Sequence, residues 1–464
     1  GLAMLWIASL ILSTTAFQSV TSDGRQQQPF IPLTSWTTHL AAVNGDNTVV
    51  VGPADDIFRP KLIDGVKFNL FGIGKQPDED ENGAFQPPPD SMKDDVVLIT
   101  GASSGLGLES AKRLALSGAS VVLTARTADK VIASVKAVKD YCIGIPNMYG
   151  KTGSCSSCSF INMEPNVRGL SLDLDDLSSV RSFPVRYREC MQDENGGSTK
   201  KIDVQMNNAG GGGHPSRELT IDGYEKTFQS CHLGHFLLTA RLFEDGLLND
   251  NVKKGCTVIN VSSVSHRCAV ADHSSKDDNG DDSGETEYGY DFDNMNCEVY
   301  YSNGADAYFQ GKLGNILFTK ELQRRANLLE QNWLNAVSLE PGGVVSDIWR
   351  HSLGYDPRNF QERCDNNERI EQPANISHLA DRLKSQIFYR LATQIERGAN
   401  AQIWLAYVAT NGGYDDNGAV IQGGQHYDEY RTAIPVPEYA QKEETTRRLW
   451  HLSETMAGIT FDLS

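Results

Sequence analysis

The stretch 96-VVLITGASSGLGLESAKRLALSGASVVLTART-127 decides how the rest of the chain is read. An apolar run of strand length, VVLIT, stops at Gly101. Gly105 and Gly107 follow, and then Leu108, Ala111, Leu114 and Ala115 recur with helical spacing up to Gly118. A second apolar run, SVVLTA, comes next. Strand, bare turn and helix start form the geometry in which a diphosphate meets free backbone N–H groups and the positive end of a helix dipole. Side chains would block that approach, which accounts for the missing Cβ atoms. Gly101, Ser103, Ser104, Gly105, Leu106 and Gly107 are the expected contacts. The spacing G-x-x-x-G-x-G differs from the G-x-G-x-x-G dinucleotide fingerprint, so the turn needs support from downstream.

From Asp95 onward the runs VVLIT, SVVLTA, RGLSLDL, IDVQMNNAG, CTVINVSS and LNAVSLEPGG alternate with helical segments such as ESAKRLALSG, FQSCHLGHFLLTARLF and LGNILFTKELQRRA. Strict alternation predicts an α/β fold, a doubly wound parallel sheet with helices on both faces. One domain over 95–464 is expected. Residues 24–94, which contain PDEDENGAF and QPPPD, read as a polar extension and linker. The piece 55–74 inside it has no predicted place.

With 60 acidic and 42 basic residues, the chain carries a formal charge of −18. Such a field repels nucleic acid and anionic lipid, so a nucleic-acid partner is excluded. Nine cysteines spread along the chain make no disulfide scaffold. Cys155 and Cys158 have no second pair at zinc spacing and read as part of a polar loop; no metal is expected. At the start, Leu2 to Leu12 form an apolar run that suits a signal-peptide core with cleavage near Ala16, giving a targeting segment over 1–23. The alternative is a membrane anchor, with the endoplasmic reticulum as the other destination.

Tyr308 and Lys312 stand one helical turn apart in AYFQGKLGNILF and share a face. An ammonium beside a phenol favours the phenolate, so Tyr308 is expected to have a lowered pKa and to exchange a proton with a substrate hydroxyl. Ser263, with Ser262 as the alternative, ends a strand where it can hydrogen-bond a reacting oxygen. In SVVLTARTADK the position that would hold an acidic ribose ligand is Ala125, and Arg126 follows. Arginine grips a phosphate with two parallel hydrogen bonds, which favours NADP(H) over NAD(H).

Taken in order, TGASSGLG, NNAG, VINVSS, YFQGK and EPGGVVS resemble the short-chain dehydrogenase/reductase family over about residues 95–464. GYEKTFQSCHLGHFLLTARLF, FDNMN, AYFQGKLGNILFTKELQRR and TTRRLWHLSETMAGI look most like its retinol-dehydrogenase-like branch, home also to WW-domain oxidoreductases, plastid-envelope relatives and light-dependent protochlorophyllide oxidoreductases. The resemblance implies a catalytic set of Ser263, Tyr308 and Lys312, with Lys312 also on the nicotinamide ribose. It implies further that Asp173 meets the adenine edge, that Asn208, Ala209 and Gly210 border the cofactor, and that Pro341, Gly342, Val344 and Ser346 cover the nicotinamide end. Homodimers built from two long sheet-flanking helices, peripheral membrane association and a small lipophilic carbonyl or alcohol substrate are implied as well. STTAFQS resembles the cleavage region of presequences that lead into the complex plastids of diatoms and related algae.

The branch pattern is broken in places. Cys231 stands where it supplies an asparagine, and Cys231 is expected to be a buried small hydrophobe. Gly311 weakens its helix by about 1 kcal/mol relative to alanine. An insertion at 274–293 is expected to be solvated and acidic. Gly343 occupies the place of the cysteine in protochlorophyllide reductases, which argues against that reaction. The remaining choice lies between an active oxidoreductase and a nucleotide-binding regulatory or scaffold protein with weak catalysis.

Overall fold

The computed structural model describes residues 78–80, 83–144, 165–192, 197–212, 214–271, 288–301, 304–344, 393–412 and 421–464. All of them belong to one compact unit. The targeting segment, piece 55–74, Cys155, Cys158, Ser346 and residues 274–287 of the insertion lie outside the described residues.

Each of the six apolar runs forms a strand: β1 Val96–Ile99, β2 Ser120–Ala125, β3 Val167–Ser171, β4 Val204–Asn207, β5 Cys256–Val261 and β6 Leu334–Leu339. Two short strands, β7 His426–Tyr427 and β8 Ala433–Ile434, extend the sheet. Its order is β3-β2-β1-β4-β5-β6-β7-β8, parallel throughout except for the β7–β8 pair. The order reverses between β1 and β4, and the crevice at such a switch point is where open α/β sheets bind ligands.

Alternate strand residues feed two cores. Val96 and Leu98 of β1 face one layer, and Val97 and Ile99 face the other. A parallel sheet covered on both sides needs such continuous apolar runs. The first layer holds α3 Leu177–Arg181, α4 Phe183–Met191, α5 Gly234–Glu244, α6 Ala305–Leu328 and, near the C-terminus, α9 Glu443–Ala457. The second holds α1 Gly105–Leu116, α2 Ala128–Gly144 and α8 Asn400–Thr410, which follows the one-turn α7 Ile395–Gly398. In the first layer the rings of Phe236, Trp450 and Phe461 pack together, with Trp450 stacked on Phe461 at 4.9 Å. No helix of the described residues is long and apolar enough to cross a membrane.

Two segments differ from expectation. Phe85 and Met92, from the expected linker, are 4% and 0% exposed, and the Arg113 guanidinium donates to the Phe85 carbonyl at 2.7 Å. Residues 288–297, read as the end of a solvated insertion and its flank, bury Tyr290 and Cys297. Composition averaged over each segment concealed these few anchoring side chains.

His232 and His235, both buried, are neutral bases in the fold. Burial holds His232 down to about 3 and His235 to about 4. In the unfolded chain both rings protonate near pH 6.5. Their contribution is therefore complete above about pH 6.5 and is lost as pH falls towards 4, by about 1.4 kcal/mol per pH unit for each ring. Thermal melts from about pH 7.5 down to about pH 5 should show a falling Tm below pH 6.5, and a flat Tm across that window would contradict this reading.

Candidate active site

The glycine turn is bare first of all because another backbone lies against it. A Cβ at Gly101 would lie 2.8 Å from the Cα of Ala209, and one at Gly107 would lie 2.5 Å from Asn208 Nδ2. Gly101 and Gly105 also have φ of 65° and 56°, a region that favours glycine. Thr100 joins the two loops: its Oγ1 accepts the N–H groups of Asn208 and Ala209 at 3.0 and 2.9 Å and hydrogen-bonds His235 Nε2 at 2.8 Å. Asn208 Nδ2 donates to the Thr100 carbonyl at 2.9 Å. Helix α1 starts at Gly105 with no side-chain cap from Ser104 and no acidic residue in its first turn. Its N–H groups and dipole end thus suit a diphosphate, with Ser103, Ser104 and Leu106 in the same turn.

Helix α6 brings Tyr308 and Lys312 to the ends of β5 and β4. Lys312 Nζ donates to the Val261 carbonyl at 3.0 Å and lies 5.6 Å from the Tyr308 ring centroid. The two serines after β5 diverge. Ser262 is 2% exposed and donates to the Lys312 carbonyl at 2.7 Å, whereas Ser263 Oγ accepts the Ser265 N–H at 3.3 Å and is near enough to the Tyr308 phenol to lower its pKa. Gly210 packs against Lys312 Nζ, and a Cβ at Gly212 would sit 2.4 Å from the Tyr308 ring.

The expected fall in the Tyr308 pKa is not produced by the protein alone. Burial pushes the phenol well above its usual value, and Cys231 adds to the rise against the Ser263 hydrogen bond. Lys312 offers little opposition because burial lowers its own pKa.

Cys231 occupies a π-turn, Gln229–Leu233, that leads into α5. It is fully buried, burial raises its thiol pKa, and Sγ donates to the Gly211 carbonyl at 3.4 Å. Gly311 lies opposite: a Cβ there would meet that of Cys231 at 3.2 Å. The two departures from the branch pattern are therefore one packing contact between α6 and the π-turn.

At the other end of the crevice, Arg126 is half exposed and bridged to Asp173 at 3.3 Å and Asp175 at 2.9 Å. Asp173 therefore shares Arg126 with Asp175. Beyond β6, Gly342 has φ of 75° and abuts Glu429, and Val344 pairs with Thr393 beside Gly398. Pro341 opens this loop. Thr100, His235 and Asn315, whose Nδ2 donates to the Val261 carbonyl at 3.0 Å, support the site but were not read from the sequence. Each sits inside a strand or helix pattern that its polarity interrupts, the one signal available.

A family model described as short chain dehydrogenase matches residues 95–147. Human retinol dehydrogenase 14 is 30% identical over 379 residues, spanning 80% of this chain and 88% of that protein. The chain belongs to the short-chain dehydrogenase/reductase family. Human retinol dehydrogenase 13 is 28% identical, covering 81% of this chain and 88% of its own length. The Brassica napus protein named short-chain dehydrogenase TIC 32 B, chloroplastic, is 30% identical over 55% of this chain and 66% of its own. This short-chain dehydrogenase/reductase is of the retinol-dehydrogenase-like branch, an alcohol/carbonyl oxidoreductase that works with a nicotinamide dinucleotide. Its substrate is a small molecule.

Gly107→Ala is expected to force Asn208 and the turn apart, because the contacts at 2.5 Å to Asn208 Nδ2 and 2.8 Å to the Gly101 carbonyl cannot both persist. Dinucleotide affinity, followed by fluorescence titration, should fall by roughly tenfold or more, a loss of about 1.4 kcal/mol. Unchanged affinity would show that the turn does not need its close approach.

Proposed function

We propose that the protein interconverts a carbonyl and an alcohol on a lipophilic or bulky substrate, with NADP(H) as its dinucleotide. The observation that carries this reading is the cluster of Ser263, Tyr308 and Lys312 beside the bare turn: Lys312 Nζ stands 5.6 Å from the Tyr308 ring centroid, and Ser263 is near enough to the phenol to lower its pKa. When bound, the dinucleotide supplies or accepts the hydride. In the reducing direction Tyr308 gives its phenolic proton to the nascent alkoxide, Ser263 holds that oxygen by a hydrogen bond, and Lys312 stabilises the phenolate left behind. The reverse reaction uses the same groups with the proton moving the other way. Burial raises the phenol pKa, which favours the protonated form of Tyr308 as the proton donor. Gly101 to Gly107, Asn208 to Gly210 and Pro341 to Val344 would hold the dinucleotide, and Ser346 belongs to the same proposal.

Selection of the 2′-phosphate rests on Arg126, whose guanidinium is 54% exposed at the end of β2. It can exchange its bridges to Asp173 and Asp175 for a bidentate phosphate contact. The lipophilic substrate is supported by relatives named as retinol dehydrogenases, retinol being a fat-soluble alcohol. A plastid destination led by residues 1–23 is supported by the STTAFQS motif and by the chloroplastic relative. Division into a targeting segment over 1–23, an extension over 24–94 whose Phe85 and Met92 pack into the catalytic unit, and a catalytic domain over 95–464, with a homodimer and peripheral membrane contact, completes the proposal.

Titration of the chain with NADPH and NADH tests the cofactor assignment. NADPH should bind at least tenfold more tightly, and Arg126→Ala should remove most of that preference; equal binding of both nucleotides by the wild type would refute it. Tyr308→Phe should lower kcat by at least about a thousandfold, leaving NADPH affinity within about twofold. Full turnover by that variant would remove Tyr308 from the chemistry, and a wild type that binds NADPH yet reduces no carbonyl would favour the scaffold reading.

A further inference from the structure

Behind the turn that carries Ser263 lies a cluster that the oxidoreductase reading does not use. His266 comes from the 3-10 turn Val264–Cys268, Glu340 from the end of β6 and His426 from β7. They are 0%, 5% and 2% exposed, and one nitrogen or oxygen from each lies within 4.8 Å of those of the others.

Glu340 Oε2 lies 3.6 Å from His266 Nδ1 and 3.3 Å from His426 Nε2. His266 Nδ1 lies 2.7 Å from the Ser263 carbonyl, which can only accept, so the proton is on Nδ1 and Nε2 carries the lone pair. That Nε2 is buried and has no hydrogen-bond partner. A histidine that donates one ring N–H to a backbone carbonyl and offers its other nitrogen is arranged as metal-binding histidines usually are. His426 has both ring nitrogens engaged, Nδ1 3.0 Å from Ser338 Oγ and Nε2 3.3 Å from Glu340 Oε2, so an ion on Nε2 takes the place of the proton shared with the carboxylate.

Glu340 is surrounded by His426, His266 and Arg267, all at long range. Its nearest cation, Arg267, is 3.8 Å away on Oε1, and its contact with His426 is longer than the 2.7–2.9 Å of a charge-assisted hydrogen bond. A carboxylate so buried is costly unless a cation is placed close to it. The 3.3 Å from His426 Nε2 to Oε2 suits a shared ion instead. Zinc–ligand distances of about 2.0–2.1 Å and tetrahedral angles put neighbouring ligand atoms about 3.4 Å apart.

We propose that His266, Glu340 and His426 bind a divalent transition-metal ion of the zinc class through one ring nitrogen of each histidine and a carboxylate oxygen. Two imidazoles and one carboxylate suit such an ion and leave one position for a water. The ion would staple the 3-10 turn to the ends of β6 and β7. The site is independent of the substrate assignment and of Arg126.

The test is a titration of the full chain, after dialysis against a chelator, with Co2+, whose four-coordinate d–d absorption reports binding without any activity assay. One equivalent should bind, and addition of Zn2+ should displace it and raise the Tm. Glu340→Gln and His426→Gln should each weaken Co2+ binding by at least roughly tenfold. Arg267→Gln, which removes the competing cation while keeping every ligand, should tighten it severalfold. Absence of Co2+ absorption in the wild type overturns the proposal whether or not the ligand variants fold. So does absorption that survives in Glu340→Gln and His426→Gln, or that weakens in Arg267→Gln.

Discussion

The approach of two backbones at the switch point between β1 and β4 is the constraint on which the site depends. Thr100 Oγ1 accepts from Asn208 and Ala209 and is tied to His235, which in turn bonds the Cys231 carbonyl at 3.0 Å. Through that one hydroxyl the glycine turn, the NNAG loop and the π-turn are fixed to one another. Since a Cβ at Gly101 or Gly107 cannot be accommodated, the bare turn serves packing and ligand approach together.

A polar seam runs from this junction across the sheet. Gln205 bonds Thr239 and Asn207, Asn207 bonds Asn260 at 2.8 Å, and Asn260 bonds Thr319 of α6 at 2.9 Å. Buried polar side chains linked in this way favour one register for strand and helix, since a slip would break each of these bonds, although Gln205 Oε1 itself has no partner among the described residues. On the same helix Asn315 and Lys312 both reach the Val261 carbonyl, so the register of α6 fixes the position of the ammonium.

The departures from the branch pattern are readable as packing. Cys231 and Gly311 face each other, so the small residue on α6 accommodates the thiol that replaces an amide. Neither change removes Ser263, Tyr308 or Lys312. Helix cost at Gly311 and the loss of an asparagine are thereby linked, although they looked separate along the chain.

Sequence determined the strands β1 to β6, the two-sided burial of the sheet and the order of the motifs, because these follow from periodicity and local turn chemistry that neighbours in sequence enforce. It also brought Tyr308 and Lys312 onto one helix face. Tertiary structure alone decided that Ser262 is committed to the Lys312 carbonyl, that Arg126 is bridged by Asp173 and Asp175, and that burial raises the phenol pKa. It alone brought His266, Glu340 and His426 together from three distant segments, one of them a strand of two residues that leaves no periodic trace. Hydrogen-bond direction and desolvation depend on what the fold brings near, and no spacing along the chain encodes that.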